Sequence, residues 1–268
     1  MLRYLYETVA GRCILKVLTK PELSKRVGRF LDSKYSCFLI PCFIKKNNID
    51  MSVYKEEKYR CFNDCFCRKI REEYRPIDKR EDAFIAPCDG LLSAYRIKKD
   101  LIIPVKQSNY SIKDLLKDEK LANEFLDGTC LVFRLCVNHY HRYCYPDSGI
   151  KGENVFVPGI LHTVRPVALR NVPVFTENSR EYTVLDTDNF GKVVQMEVGA
   201  MLVGKIDNYH QEGKFYKGEE KGKFLYGGST IILLLKKDKV KFTQKIFDYS
   251  DRKKEIPVKM GQKIGCRY

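Results

Sequence analysis

The alternation of apolar and polar positions changes character near residue 80. Ahead of that point apolar residues recur at helical spacing. Leu2, Leu5, Tyr6 and Val9 follow the i, i+3, i+4, i+7 rule for one face of a single helix. Pro21 suits the first turn of a second helix over residues 23–31, because a first turn leaves its N–H groups unbonded anyway. Residues 37–44 are apolar, interrupted by Pro41 and followed by Lys45 and Lys46. Such a segment fits helix-packing core or shallow insertion into a lipid interface.

From residue 83 the apolar runs become short and β-branched, bounded by Gly, Pro, Asp and Asn. Residues 83–87 and 91–97 flank Asp89-Gly90, which predicts a hairpin. Residues 129–137 read as a buried strand, with further strands at 155–157, 183–185 and 193–203. Gly199 marks a bulge or a close approach in the last of these. Residues 231–235 read as a central strand followed by another at 240–242, and residues 111–126 as a helical insertion. The expected fold is α+β. Residues 81–268 are expected to form a β-rich core of sandwich or half-barrel type, and residues 1–80 a helical, basic N-terminal region.

Composition adds charge and redox state to this outline. A chain of 268 residues can bury a substantial core, as one domain or as a core with an extension. Formal net charge is +15, and residues 1–80 supply +9 of it, with 19 Lys and Arg against 10 Asp and Glu. That excess favours a polyanionic partner, nucleic acid or an anionic membrane surface. No helix-turn-helix, zinc-finger or ribonucleoprotein signature is visible, so nucleic acid is not expected. No apolar run reaches the length of a membrane span. Arg3, Glu7, Arg12 and Lys16 interrupt the N-terminal apolar stretches, unlike a signal peptide, so the chain is expected on the cytoplasmic side. The eleven cysteines, odd in number and without a small-scaffold pattern, read as reduced thiols.

Four constellations bear chemistry. Cys61, Cys65 and Cys67 form C-x3-C-x-C, but no second pair or nearby histidine completes a four-ligand zinc site, so no metal is expected. His139 and His141 follow the strand 129–137. If extended geometry continues they face one side, with Cys144 close enough in sequence for a Cys-His pair. Asp89 taken alone is a turn residue. Gly227-Gly228-Ser229-Thr230 places a hydroxyl beside glycines, which let a side chain approach its own backbone carbonyl. In the order Asp89, His141, Ser229, a carboxylate can orient an imidazole that deprotonates a serine.

These residues carry a resemblance. RYLYETVAGR looks like the opening helix of the phosphatidylserine decarboxylases, and FNDCFCRKIREEYRPID is similar to their F-N-x-F-F-x-R…R-P-I segment. IAPCDG resembles S-P-x-D-G and places Asp89. NHYHRYCYPDSG resembles Y-H-R…P-x-x-G and places His141. The stretches from ENSREYTVLDT to VGAMLVGKI, and KGEEKGKFLYGGST, resemble the later blocks, the last placing Ser229. The resemblance covers nearly the whole chain. Many members carry a second histidine in Y-H-R-x-H, where this chain has Cys144, so His139 and Cys144 join the candidates for proton handling.

The resemblance implies self-cleavage between Gly228 and Ser229, with Asp89, His141 and Ser229 as catalytic residues. The products are a β chain, 1–228, and an α chain, 229–268. Ser229 becomes a pyruvoyl group, the cofactor. Through a Schiff base it decarboxylates phosphatidylserine to phosphatidylethanolamine. The implied setting is peripheral, on the cytoplasmic face of a bacterial membrane, with residues 1–80 as the membrane-association region and a homodimer left open. The rival readings are a pyruvoyl-dependent decarboxylase of a soluble amino acid and a non-catalytic basic membrane-binding protein.

Overall fold

The computed structural model describes every residue except 1, 56–57, 99–101, 106–107, 165, 201–205 and 227–228. Among the described residues five α-helices precede the first strand: α1 (Leu2–Glu7), α2 (Val9–Leu18), α3 (Pro21–Leu31), α4 (Leu39–Lys46) and α5 (Phe62–Phe66), with three short 3-10 turns between and after them. The single helix expected across Leu2 to Val9 is two. Thr8 is extended and its hydroxyl accepts the Gly11 N–H at 3.0 Å, which restarts the helix. Leu5 and Tyr6 are buried while Val9 is 72% exposed. The reversal needs Gly11, because a Cβ there would lie 1.9 Å from the Tyr4 carbonyl oxygen.

The centre of the molecule is an eight-stranded antiparallel sheet. Its strands are β1 (Gly90–Arg96), β2 (Thr129–Leu135), β3 (Gly149–Val157), β4 (Arg180–Thr187), β5 (Gly191–Val198), β6 (Gly213–Phe215), β7 (Ser229–Leu235) and β8 (Ile256–Val258). They lie in the order β6-β3-β4-β5-β7-β2-β1-β8. Every residue of β7 is buried, and it is paired on both sides, by β2 and β5. A strand covered on both faces needs no polar alternation, which is why STIILLL is continuously apolar after its first two residues. A two-stranded antiparallel ladder, Ile102–Val105 with Ser108–Ser111, and two three-stranded sheets complete the β structure of the described residues. One three-stranded sheet joins Ala83–Ile85, Lys263–Arg267 and Val240–Phe242; the other joins Ile206–Asn208, Glu220–Phe224 and Arg142–Cys144. The architecture is α+β on an antiparallel sheet.

The hairpin expected around Asp89-Gly90 does not form. Ala83–Ile85 pairs with Lys263–Arg267, whereas β1 pairs with β2 and β8. Pro87 has no N–H to give a ladder, and the Asp89 carboxylate is engaged by Arg75 and the Met260 N–H instead of closing a turn. The strand expected over 193–203 ends at Val198, and 201–205 lie outside the described residues. Gly199 is a close approach: a Cβ there would meet the Ser179 carbonyl oxygen at 3.2 Å. The helical insertion is two short helices, Ile112–Leu116 and Glu119–Asn123, separated by Lys117 in the left-handed region.

The N-terminal helices pack on this frame. Leu5, Tyr6 and Leu15 belong to the main core. A second cluster holds Leu31, Phe43, Phe62, Cys65, Phe66 and Cys67, with Leu225 and Tyr226 against it. The apolar segment 37–44 therefore divides: Phe43 is core, while Phe38 is 71% exposed.

Candidate active site

Sheet register brings Ser229 and the residue after Asp89 to the same end of neighbouring strands. Leu91 lies opposite Arg134, and Arg134 opposite Thr230. The start of β1 just after Asp89, the end of β2 at Leu135 and the start of β7 at Ser229 thus stand side by side on three adjacent strands. With strands about 4.8 Å apart, the outer two are separated by roughly 10 Å. The chain leaving β2 carries His139 and His141 over this end.

Ser229 is fully buried, and its Oγ has no hydrogen-bond partner among the described residues. Gly228 lies outside the described residues. A buried hydroxyl without a partner costs folding free energy and is expected where function requires it.

The two histidines do not share a strand face as expected. β2 ends at Leu135 and a turn follows, closed by the His139 N–H donating to the Cys136 carbonyl at 2.9 Å. His139 is only partly buried, and its Nδ1 accepts the Cys136 N–H at 3.1 Å. His141 is fully buried, and its Nδ1 donates to the His139 carbonyl at 2.9 Å. That bond fixes the tautomer and leaves Nε2 as a free acceptor, without a partner among the described residues. Burial first, then the nearby Arg68 charge, pushes the His141 pKa down to about 3. Burial also lowers His139, against an upward pull from the Asp89 charge. His141 is therefore a neutral imidazole with an open lone pair. The Phe66 ring covers it, with centroids 4.1 Å apart.

Asp89 does not orient His141 by a direct hydrogen bond; the His139 carbonyl holds that ring nitrogen. The Asp89 carboxylate instead takes Arg75 Nε at 2.6 Å and Nη2 at 2.5 Å, and its Oδ1 also accepts the Met260 N–H at 3.0 Å. Two-point pairing with a guanidinium fixes carboxylate orientation as well as charge. Cys144 is fully buried, and burial pushes its thiol well above the ordinary range, which makes it a poor thiolate.

Sequence reasoning gave no role to Arg75 or Phe66, although both lie in the segment whose pattern was read. Among the described residues no group of three or more His, Cys, Asp or Glu gathers to hold a metal. Cys65 and Cys67 belong to the aromatic cluster, and Cys61 caps α5, its sulfur accepting the Asp64 N–H at 3.4 Å. Beside the site is a cleft of about 630 Å³ with Tyr140, Cys144 and Arg75 in its wall. Its lining carries five Lys or Arg against three Glu.

Comparison with known proteins identifies the family. The phosphatidylserine decarboxylase family model matches residues 62–266. Phosphatidylserine decarboxylase proenzyme 2 of Clostridium acetobutylicum is 46% identical over 98% of this chain and 91% of its own length. The phosphatidylserine decarboxylase proenzyme of Clostridium perfringens is 42% identical over 97% of this chain and 90% of its own. One from Clostridium botulinum is 38% identical over 99% and 92%. The chain belongs to the phosphatidylserine decarboxylase family.

Proposed function

We propose that this chain is a phosphatidylserine decarboxylase proenzyme that cuts itself between Gly228 and Ser229, then converts phosphatidylserine to phosphatidylethanolamine. The observation that carries the reading is a pair of buried polar atoms without hydrogen-bond partners among the described residues, Ser229 Oγ at the start of β7 and His141 Nε2 in the segment that follows β2. A hydroxyl and a neutral base with an open lone pair are what a self-directed nucleophile requires.

In this reading His141 Nε2 takes the Ser229 hydroxyl proton, and Oγ attacks the Gly228 carbonyl carbon. The Gly228–Ser229 C–N bond breaks, its nitrogen takes a proton, and Gly228 becomes an ester on Oγ. Loss of the Ser229 α-proton expels Gly228 as a carboxylate and leaves a Cα=Cβ double bond at residue 229. Water then replaces the nitrogen, releasing ammonia and leaving pyruvoyl at the head of the α chain. Asp89, held by Arg75, acts through its negative charge beside His139. The fit of the cofactor to the site rests on Ser229 supplying its carbon skeleton from a buried strand end.

The pyruvoyl carbonyl supplies an electron sink for the substrate amine as carboxylate is lost. In this reading His141 Nε2 takes a proton from the substrate ammonium as the amine condenses and returns it to the substrate α-carbon after carboxylate is lost, with His139 as the accessory group. The cation-rich cleft beside Asp89 and Cys144 suits an anionic headgroup. The reading extends to a peripheral protein on an anionic leaflet: Tyr35 and Phe38 are each 71% exposed, and Lys34, Lys45 and Lys46 are exposed nearby. No described helix is long and apolar enough to cross a membrane.

Intact mass spectrometry tests the core of the proposal. The expected result is two chains divided at Gly228–Ser229 with a pyruvoyl-blocked smaller one. Ser229→Ala is expected to give one uncleaved, inactive chain. A single uncleaved wild-type chain that decarboxylates phosphatidylserine overturns the proposal.

A further inference from the structure

The helix α5 touches both partners of the proposed cleavage. On one side the Asn63 side-chain oxygen accepts the Tyr226 N–H at 3.1 Å, two residues ahead of Gly228. The Asn63 amide donates in turn to Asp32 Oδ1 at 2.7 Å, so its orientation is fixed rather than free to flip. The Tyr226 ring stands edge-on to Phe62 at 4.9 Å and to Phe66 at 5.2 Å. Just after the helix, the Cys67 thiol donates to the Phe224 carbonyl at 3.1 Å. On the other side Phe66 lies over the His141 ring. The two partners are also tied directly, since the Phe224 N–H donates to the His141 carbonyl at 2.9 Å.

We infer that α5 is the positioning element of self-cleavage, with Asn63 holding the chain just ahead of the scissile bond and Phe66 keeping the imidazole covered and in place. The inference rests on the self-cleavage proposed above. Its physical basis is that Asn63 is buried and bonds on one side to Asp32 and on the other to the Tyr226 N–H. An attack on a neighbouring carbonyl depends on near-attack geometry, and misplacement of about 1 Å costs roughly 100-fold in rate. Asn63 bonds to a segment on the N-terminal side of the cut. After cleavage that segment is a free chain end with no further part in the reaction. Asn63 is therefore a positioning residue for the first reaction and not for the second.

This separation is the test. Full-length chain is synthesised in a cell-free translation mixture with vesicles of phosphatidylglycerol and phosphatidylethanolamine, and cleavage is timed on denaturing gels. Asn63→Ala is expected to cleave roughly 10- to 100-fold more slowly. Once matured, it is expected to decarboxylate phosphatidylserine with kcat and KM within about twofold of wild type, because chemistry no longer runs through Tyr226. A merely structural role lowers both reactions and the thermal midpoint together. Asn63→Asp keeps the acceptor for Tyr226 but sets two carboxylates together, and is expected to cleave slowly. Asn63→Asp with Asp32→Asn restores a donor–acceptor pair and is expected to recover the rate even if Asn63→Ala folds poorly. Wild-type cleavage rates in both single variants, or a double variant no faster than Asn63→Asp, overturn the inference alone. An uncleaved wild-type chain overturns the function reading instead.

Discussion

The His141 imidazole is costly to bury and is kept neutral. Its folded pKa, about 3, lies well below the ordinary histidine value. Between those two values the unfolded chain binds more protons than the folded one, so stability is full above the unfolded pKa and falls as pH drops through the window. His141 contributes a slope of about 1.4 kcal/mol per pH unit there. Burial lowers His139 and His162 in the same direction, His162 to about 4. Urea unfolding of the uncleaved Ser229→Ala chain is therefore expected to show stability falling from pH 7 toward pH 5. Adding His141→Gln is expected to make that slope shallower, and equal slopes contradict a buried neutral His141. Ser229 and the order Asp89, His141, Ser229 were legible in the sequence because Gly-Gly-Ser and Asp-Gly are local patterns. The partners of those residues were not. The Arg75–Asp89 pair spans 14 positions and the Asn63–Tyr226 bond 163. No local pattern encodes a contact at that separation, and the switch of His141 Nδ1 from the expected Asp89 to the His139 carbonyl follows from a turn that strand periodicity does not predict.

Among the elements, β7 decides what becomes of residues 229–268 if the chain is cut ahead of Ser229 as proposed. It was readable because a strand buried on both faces is a bare apolar run. The strands around it were harder. Glu220–Phe224 reads EKGKF, and its Lys221 is fully buried, with Glu197 at 2.7 Å and the Asn208 side-chain oxygen at 2.9 Å to receive its ammonium. Ile256–Val258 and Lys263–Arg267 are short, and each pairs with a strand more than 160 residues earlier. These long pairings have a consequence. Residues 229–268 contribute β7 to the middle of the main sheet and β8 to its edge, and Lys263–Arg267 to the centre of a second sheet. Cutting ahead of Ser229 breaks none of those ladders. The two chains are expected to co-elute on native gel filtration and separate only under denaturing conditions. Leu233 is fully buried in β7, and Leu233→Ala is expected to cost about 2–5 kcal/mol and shift the urea midpoint down accordingly. Separation of the wild-type chains under native conditions contradicts this account of the strand.

At the scale of the whole molecule, residues 1–80 hold +9 of the +15 formal charge and expose the rings of Tyr35 and Phe38. The sequence showed the charge excess, but periodicity alone did not separate core from surface within 37–44. The structure separates them, since Phe43 packs on Phe62 at 5.0 Å while Tyr35 and Phe38 point to solvent. This also changes how membrane binding is best tested. Deleting residues 1–45 would remove Leu5, Tyr6 and Leu15 from the main core and Leu31 and Phe43 from the second cluster, so loss of binding would not separate docking from unfolding. Tyr35→Glu with Phe38→Glu alters only exposed positions. If these rings enter the interface, each withdrawn from water contributes on the order of 1.5 kcal/mol, and the double variant is expected to lose about tenfold or more in flotation with phosphatidylglycerol vesicles. Exposed lysines and arginines add about 1 kcal/mol each at an anionic surface, a contribution that salt screens and the aromatic one does not share. Wild-type binding is therefore expected to weaken but persist in high salt, and the double variant's to vanish. Equal flotation of the two proteins at both salt concentrations rules out this face as the docking surface.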